Sequence, residues 1–178
     1  MLRLILLIDM GVTMALNEQD VRHLRRCVAL AEEALDGGDM AFGSVLVSAE
    51  GAVLAEDHNR INSHEPTWHP EVALAHWAAE HLNETERARS TLYTSGEHCP
   101  MCAAAHAWAG LGRIVYASSA EQFSGWCAEW GLPASPVNPL AINEVAPEIE
   151  VAGPVPELAE QIRELHKRYF GIKDGHKS

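Results

Sequence analysis

One arrangement limits the folds open to this chain more than any other: His69-Pro70-Glu71, then 27 residues, then Cys99-Pro100-Met101-Cys102. Two soft thiolates and one imidazole supply three ligands of a tetrahedral zinc ion, and Glu71, two residues from the histidine, need not be a ligand itself. Any fold of this chain that uses the motif must bring residues 69, 99 and 102 around one point. Three protein ligands leave one position open, and on zinc an open position is where a water molecule is made acidic. The motif therefore reads first as catalytic and second as structural.

Both ligand sets fall at loop-to-helix junctions. Residues 59–68 are rich in Asn, Ser, His and Pro and carry no period, so they form a loop. Pro70 then sits at the first helical position and opens a helix over Glu71 to Leu82, while Pro100 opens an alanine-rich helix to Ala109. A helix N-terminus presents unpaired N–H groups and the positive end of the dipole, which favours thiolates, so Cys99 and Cys102 are expected to ionise. Glu71, one residue past the helix-opening proline, can accept a proton from activated water and return it to a leaving group.

The remaining pattern surrounds that pair of junctions with one domain. Asn17 with Asp20 three positions on starts a helix whose apolar residues recur at helical spacing as far as Gly37-Gly38. Phe42 to Val47 and Ala52 to Glu56 read as a hairpin, and Ser90 to Thr94, Arg113 to Ala117 and Glu148 to Val151 as three further strands. Glu121 to Trp130 reads as a helix, Leu132 to Pro147 as proline-punctuated loop, and Pro156 to Phe170 as an amphipathic helix with Leu158, Ile162, Leu165 and Tyr169 on one face. The plan is a three-layer α/β/α sandwich with a central mixed five-stranded sheet. Residues 14–178 form the single domain and residues 1–13 an extension, apolar but too short to span a bilayer and interrupted by Asp9.

Charge narrows the partners. Lys and Arg total 13 against 25 Asp and Glu, a net charge of -12, whereas a nucleic-acid binder needs a basic footprint to neutralise phosphates. Arg22, Arg25 and Arg26 cluster, but acidic neighbours flank them, as on a solvated helix face. A C-x-x-C with a compatible histidine fits metal ligation in a reducing compartment, so the expected location is cytoplasmic. Cys27 and Cys127 have no second ligand at a recognisable spacing and read as plain thiols. Purely structural zinc would need a fourth ligand, for which only His98 and His106 are near. A redox dithiol would follow the first strand of a βαβ unit rather than the third.

The stretch Thr91-Leu92-Tyr93-Thr94-Ser95-Gly96-Glu97-His98-Cys99-Pro100-Met101-Cys102, with Glu65-Pro66-Thr67-Trp68-His69-Pro70-Glu71 before it, resembles the cytidine and deoxycytidylate deaminase-like zinc hydrolases, whose signature is H-x-E…P-C-x-x-C. The resemblance covers roughly Asp39 to Gln122 and is nearest to the guanine deaminase and tRNA adenosine deaminase branch. It implies one zinc ion per chain on His69, Cys99 and Cys102, with Glu71 carrying protons. It also implies a base-contacting role for Asn59, ten residues before His69, and a stacking role for Phe42. His98 stands where the family usually has proline, Pro70 where it usually has alanine, and Trp68 adds bulk beside the metal, so these three are expected to shape the substrate pocket.

Guanine deaminases of that branch carry a second acidic residue some 27 to 30 positions after the last cysteine, and Glu129, between Trp126 and Trp130, falls there. The resemblance thus implies an amino-bearing base as substrate: guanine or a related amino-azine first, cytosine-type bases or nucleosides second, adenosine in tRNA third. An inactive zinc-stapled interaction domain is the alternative of another class, and the intact Glu71 argues against it. Members of the branch usually form homodimers, some with exchanged C-terminal segments. Tyr169 or Phe170 would then cover a partner's site. No membrane partner is expected.

Overall fold

In the computed structural model, which describes residues 16–173, Asn17 opens helix α1 (Glu18–Asp36) with a reciprocal capping box to Asp20. The expected extension over residues 1–13 lies outside the described residues. Leu24, Cys27, Leu30, Ala31 and Ala34 form the buried stripe of α1. Opposite them Arg26 pairs with Glu33 and Glu56 at 2.7 and 2.8 Å, as on a solvated face.

Strands β1 (Gly43–Val47), β2 (Val53–His58), β3 (Thr91–Gly96), β4 (Arg113–Ser118) and β5 (Val151–Ala152) make one five-stranded sheet in the order β2-β1-β3-β4-β5. β1 runs antiparallel to β2 and β3, while β3, β4 and β5 are parallel, so the sheet is mixed as the sequence pattern predicts. Helices α2 (Pro70–His81), α4 (Pro100–Ala109) and α7 (Pro156–Phe170) complete the three layers.

Strand alternation decides which side chains meet which helices. Val45, Val47, Tyr93, Val115 and Ala117 pack with α1 and with Leu158 of α7. Leu46 and Leu92 point the other way and pack with Leu74, Ala75 and Ala78 of α2. Ser44 and Thr94, two residues from Leu46 and Leu92, share that second face.

Boundaries differ from the sequence reading where tertiary contacts rather than local pattern decide. β2 runs on to His58 because it pairs with β1 as far as Gly43, and β5 is shifted to Val151–Ala152 by its register against Ile114 and Val115. α5 (Ala120–Glu129) begins one residue early, at the Ser119 cap. Two short helices were not anticipated. α3 (Glu84–Arg89) is held by an Asn83–Glu86 capping box and buries no residue. α6 (Ile142–Val145) interrupts the proline-punctuated loop because Ile142 packs against Ala103 and Ile114. Among the described residues no helix is long and apolar enough to cross a membrane.

Candidate metal centre and catalytic site

The first residues of α2 and α4 are built alike. Each helix has proline at its start, and the residue before that proline is the N-cap: His69 for α2 and Cys99 for α4. Neither side chain caps its own helix, so both are free to point at a third group. Cys102, one turn into α4 and buried, completes the set.

The three donors converge. Nδ1 of His69 lies 3.7 Å from Cys99 Sγ and 3.7 Å from Cys102 Sγ, and the two sulfurs are 3.6 Å apart. A tetrahedral zinc ion with bonds of about 2.3 Å to sulfur and about 2.05 Å to nitrogen sets edges of about 3.8 Å between sulfurs and about 3.6 Å between sulfur and nitrogen. The donor set fits that ion, and His69, Cys99 and Cys102 are the one such group found among the described residues. All four cysteines are free.

Electrostatics within the group favour an anion on one of the two sulfurs. Hydrogen bonding from the Cys102 thiol, then from His69, pulls Cys99 down to about 4. Cys102, expected to ionise as well, is instead pushed up, first by the neighbouring Cys99 and then by burial. The hydrogen bond with Cys99 raises the His69 imidazole.

Glu71 lies beneath the cluster, 4% exposed. Its Oε1 accepts from the Thr94 hydroxyl at 2.9 Å, with Ser44 Oγ 3.4 Å away, and its Oε2 faces the Cys102 thiol at 3.6 Å. Burial raises its carboxyl above the usual range, opposed by the charge of His69. A carboxyl shifted upward gives and takes a proton nearer to neutrality than an ordinary one, as an acid–base group must.

The other expected site residues are placed as follows. Asn59 is buried, its N–H bonded to Phe42 O at 2.9 Å and its Oδ1 accepting from Ile61 N–H at 3.1 Å, which leaves its NH2 group. Trp68 is half-buried beside His69, with Arg60 5.5 Å over its ring and Nε1 donating to Asp57 Oδ2 at 3.3 Å. Pro70 is buried at the start of α2. Phe42 belongs to an aromatic cluster with Phe123 and His166, its ring lying so close to Gly96 that an added Cβ there would sit 2.6 Å from Phe42 Cε1.

Two expectations meet a different environment. His98 has no exposed surface and packs edge-on against His106, so in this conformation it offers nothing to a substrate. The family's proline position has here become a core aromatic. Glu129, at the end of α5, is exposed and held by Arg163 of α7 with both oxygens at 2.9 Å, and no hydrogen bond joins it to the cluster. Tyr169 is bound within its own chain, its hydroxyl accepting from Asn62 Nδ2 at 2.8 Å.

Sequence reasoning did not single out Ser44, Thr94, Asp57 or Arg60. Ser44 was visible only as the one polar side chain of β1, and Thr94 only as one of several hydroxyl residues in β3.

The MafB19-like deaminase family matches residues 18–166, and the chain belongs to it. A probable cytosine deaminase of Schizosaccharomyces pombe is 32% identical over 146 residues, covering 78% of this chain and 86% of that protein. The guanine deaminase of Bacillus subtilis is 39% identical over 97 residues, covering 53% of this chain and 62% of the enzyme. The solved structure of a guanine deaminase from Nitrosomonas europaea shares the fold, with a TM-score of 0.64 at 18% identity over 89% of this chain and 87% of that one.

Proposed function

We propose that this chain is a zinc-dependent hydrolase that replaces the exocyclic amino group of a free nucleobase by oxygen and releases ammonia, with guanine or a related amino-azine as the base. One observation carries the reaction: a buried carboxylate with one oxygen tied to the sheet and the other turned towards a His/Cys/Cys donor set. Zinc, when bound there, supplies Lewis-acid activation of water. His69 as neutral imidazole and Cys99 and Cys102 as thiolates would hold it. Glu71 accepts one proton of water as the new C–O bond forms at the amino-bearing carbon and delivers it to the exocyclic nitrogen as the C–N bond breaks; ammonia leaves, the oxygen stays as the oxo group and its remaining proton passes to the ring nitrogen. The free Asn59 NH2 suits an acceptor on the base edge, and Trp68, clamped by Asp57 and Arg60, offers an indole beside His69.

Guanine is supported by the identity to the Bacillus subtilis guanine deaminase, and the net charge of -12 disfavours a tRNA substrate. Cytosine is the second reading, favoured by the greater coverage of the Schizosaccharomyces pombe relative and by the engagement of Glu129 with Arg163. A homodimer is part of the same reading, and Trp108, 91% exposed on α4, is an apolar side chain that pairing would cover. Ammonia release by the zinc-loaded chain over guanine, cytosine, their nucleosides, adenine and amino-triazines is the test. The reading expects kcat/KM for guanine to exceed that for cytosine by about tenfold or more. Cytosine ahead of guanine would install the second reading, and silence on every base would overturn both.

A further inference from the structure

Ser44 and Thr94 are cross-strand partners, Ser44 in β1 opposite Thr94 in β3. Both are fully buried, and both face α2 because they continue the alternation of Leu46 and Leu92. A hydroxyl pair in the middle of a sheet is costly to bury without partners. Here the pair has them, and they run in one direction. Ser44 Oγ donates to Thr94 Oγ1 at 3.0 Å, and Thr94 Oγ1 donates to Glu71 Oε1 at 2.9 Å. Each hydroxyl has one hydrogen, so the Thr94 hydrogen is committed to the carboxylate and the Ser44 hydrogen to Thr94. The longer 3.4 Å separation between Ser44 Oγ and Glu71 Oε1 is the weaker alternative for Ser44.

We infer that Thr94, backed by Ser44, is a positioning residue for Glu71: a hydroxyl relay that pins one carboxylate oxygen to the sheet so that the other is aimed at the metal donors. Glu71 has three side-chain torsions, and being the second helical residue of α2 fixes only its backbone. With Oε1 anchored, rotation of the carboxyl group is stopped in the orientation that places Oε2 3.6 Å from Cys102 Sγ. The relay polarises along its length, so Ser44 strengthens the Thr94 bond without touching Glu71 strongly itself. Neither residue is called on to react. This inference rests on the proton-carrying role proposed for Glu71.

The test uses the full-length zinc-loaded chain with Thr94→Val, Thr94→Ser, Ser44→Ala and the double Thr94→Val/Ser44→Ala, each checked for zinc content and melting temperature. On the best base from the ammonia screen, Thr94→Val is expected to lower kcat roughly ten- to hundredfold, with KM changed less than about threefold. Thr94→Ser keeps the hydroxyl and is expected to stay within about threefold of the parent chain. Ser44→Ala should lose about three- to fivefold, and the double variant should be no slower than Thr94→Val alone, because Ser44 acts through Thr94. Crystal structures of the parent chain and Thr94→Val supply a readout independent of turnover: the Glu71 carboxyl should be rotated or split between conformers only in the variant. Should Thr94→Val not fold, Ser44→Ala with the same kcat and structural readouts decides. Wild-type kcat in zinc-replete Thr94→Val, or an unmoved Glu71 carboxyl in its crystal structure, would overturn the relay. Silence of the parent chain on every base would instead overturn the proposed reaction, leaving the carboxyl's position to decide the relay.

Discussion

Two sets of buried titratable side chains in this chain follow opposite rules. Around Glu71 each buried polar atom has a directed neighbour: Thr94 and Ser44 on one side, Cys102 and its metal-site companions on the other. The histidines His98, His106 and His166 are buried as well, yet five of their six ring nitrogens have no hydrogen-bond partner among the described residues, the exception being His106 Nε2 with Gly112 O at 2.8 Å. They pack instead as rings, His98 on His106 and His166 among Phe42, Phe123 and Phe170. Burial without compensation drives these imidazoles down, His106 to about 4 and His166 to about 3, so they stay neutral aromatic filler. Burial with compensation fixes the Glu71 carboxyl between Thr94 and Cys102. What sets the Glu71 group apart is therefore partnership, not burial.

The first group is broken most severely through its metal donors. Cys102→Ser should cut zinc content after dialysis from one per chain to below about a tenth and abolish ammonia release, by metal analysis and a coupled ammonia assay. Full zinc retention would show that the three donors are not the site.

The second group is probed by acid. The folded state holds His166 neutral down to about pH 3, whereas the unfolded chain protonates it below its ordinary value of 6.5. The unfolded state therefore binds the extra proton. The stability that His166 leaves intact above pH 6.5 is lost as pH falls towards 3, by about 2 kcal/mol at pH 5. His166→Phe should flatten the fall in urea midpoint between pH 7 and pH 5. An unchanged slope would mean that His166 finds a partner when protonated.

The smallest effect is expected at Glu129. Its pair with Arg163 lies at the surface, so Glu129→Gln should change stability by no more than about 0.5 kcal/mol and leave kcat/KM for guanine within about threefold. A large loss of guanine turnover at unchanged stability would show that the ion pair opens to let Glu129 meet the base.

These contrasts also separate what could be read from the chain alone. His69, Glu71, Cys99 and Cys102 were legible because ligand chemistry and helix-opening prolines sit side by side in sequence. The mixed sheet was legible because short apolar runs stand between turn residues, and the terminal helix because its helical period persists over the whole element. Ser44 and Thr94 were not, since they become neighbours only across a strand pairing 50 residues apart. The burial of His98 was hidden by its place inside the motif, where proximity to Cys99 suggested a pocket but its side chain turns beneath α4 towards His106. α3 has a clear capping box but no buried residue, so no apolar period announced it.

The central claim, that Glu71 carries protons for a metal at His69, Cys99 and Cys102, is tested most directly by measuring zinc content and ammonia release from guanine and cytosine for the parent chain and Glu71→Gln. The account predicts one zinc per chain in both proteins and turnover about 10²- to 10⁴-fold slower in the variant. Wild-type turnover by zinc-loaded Glu71→Gln would contradict it.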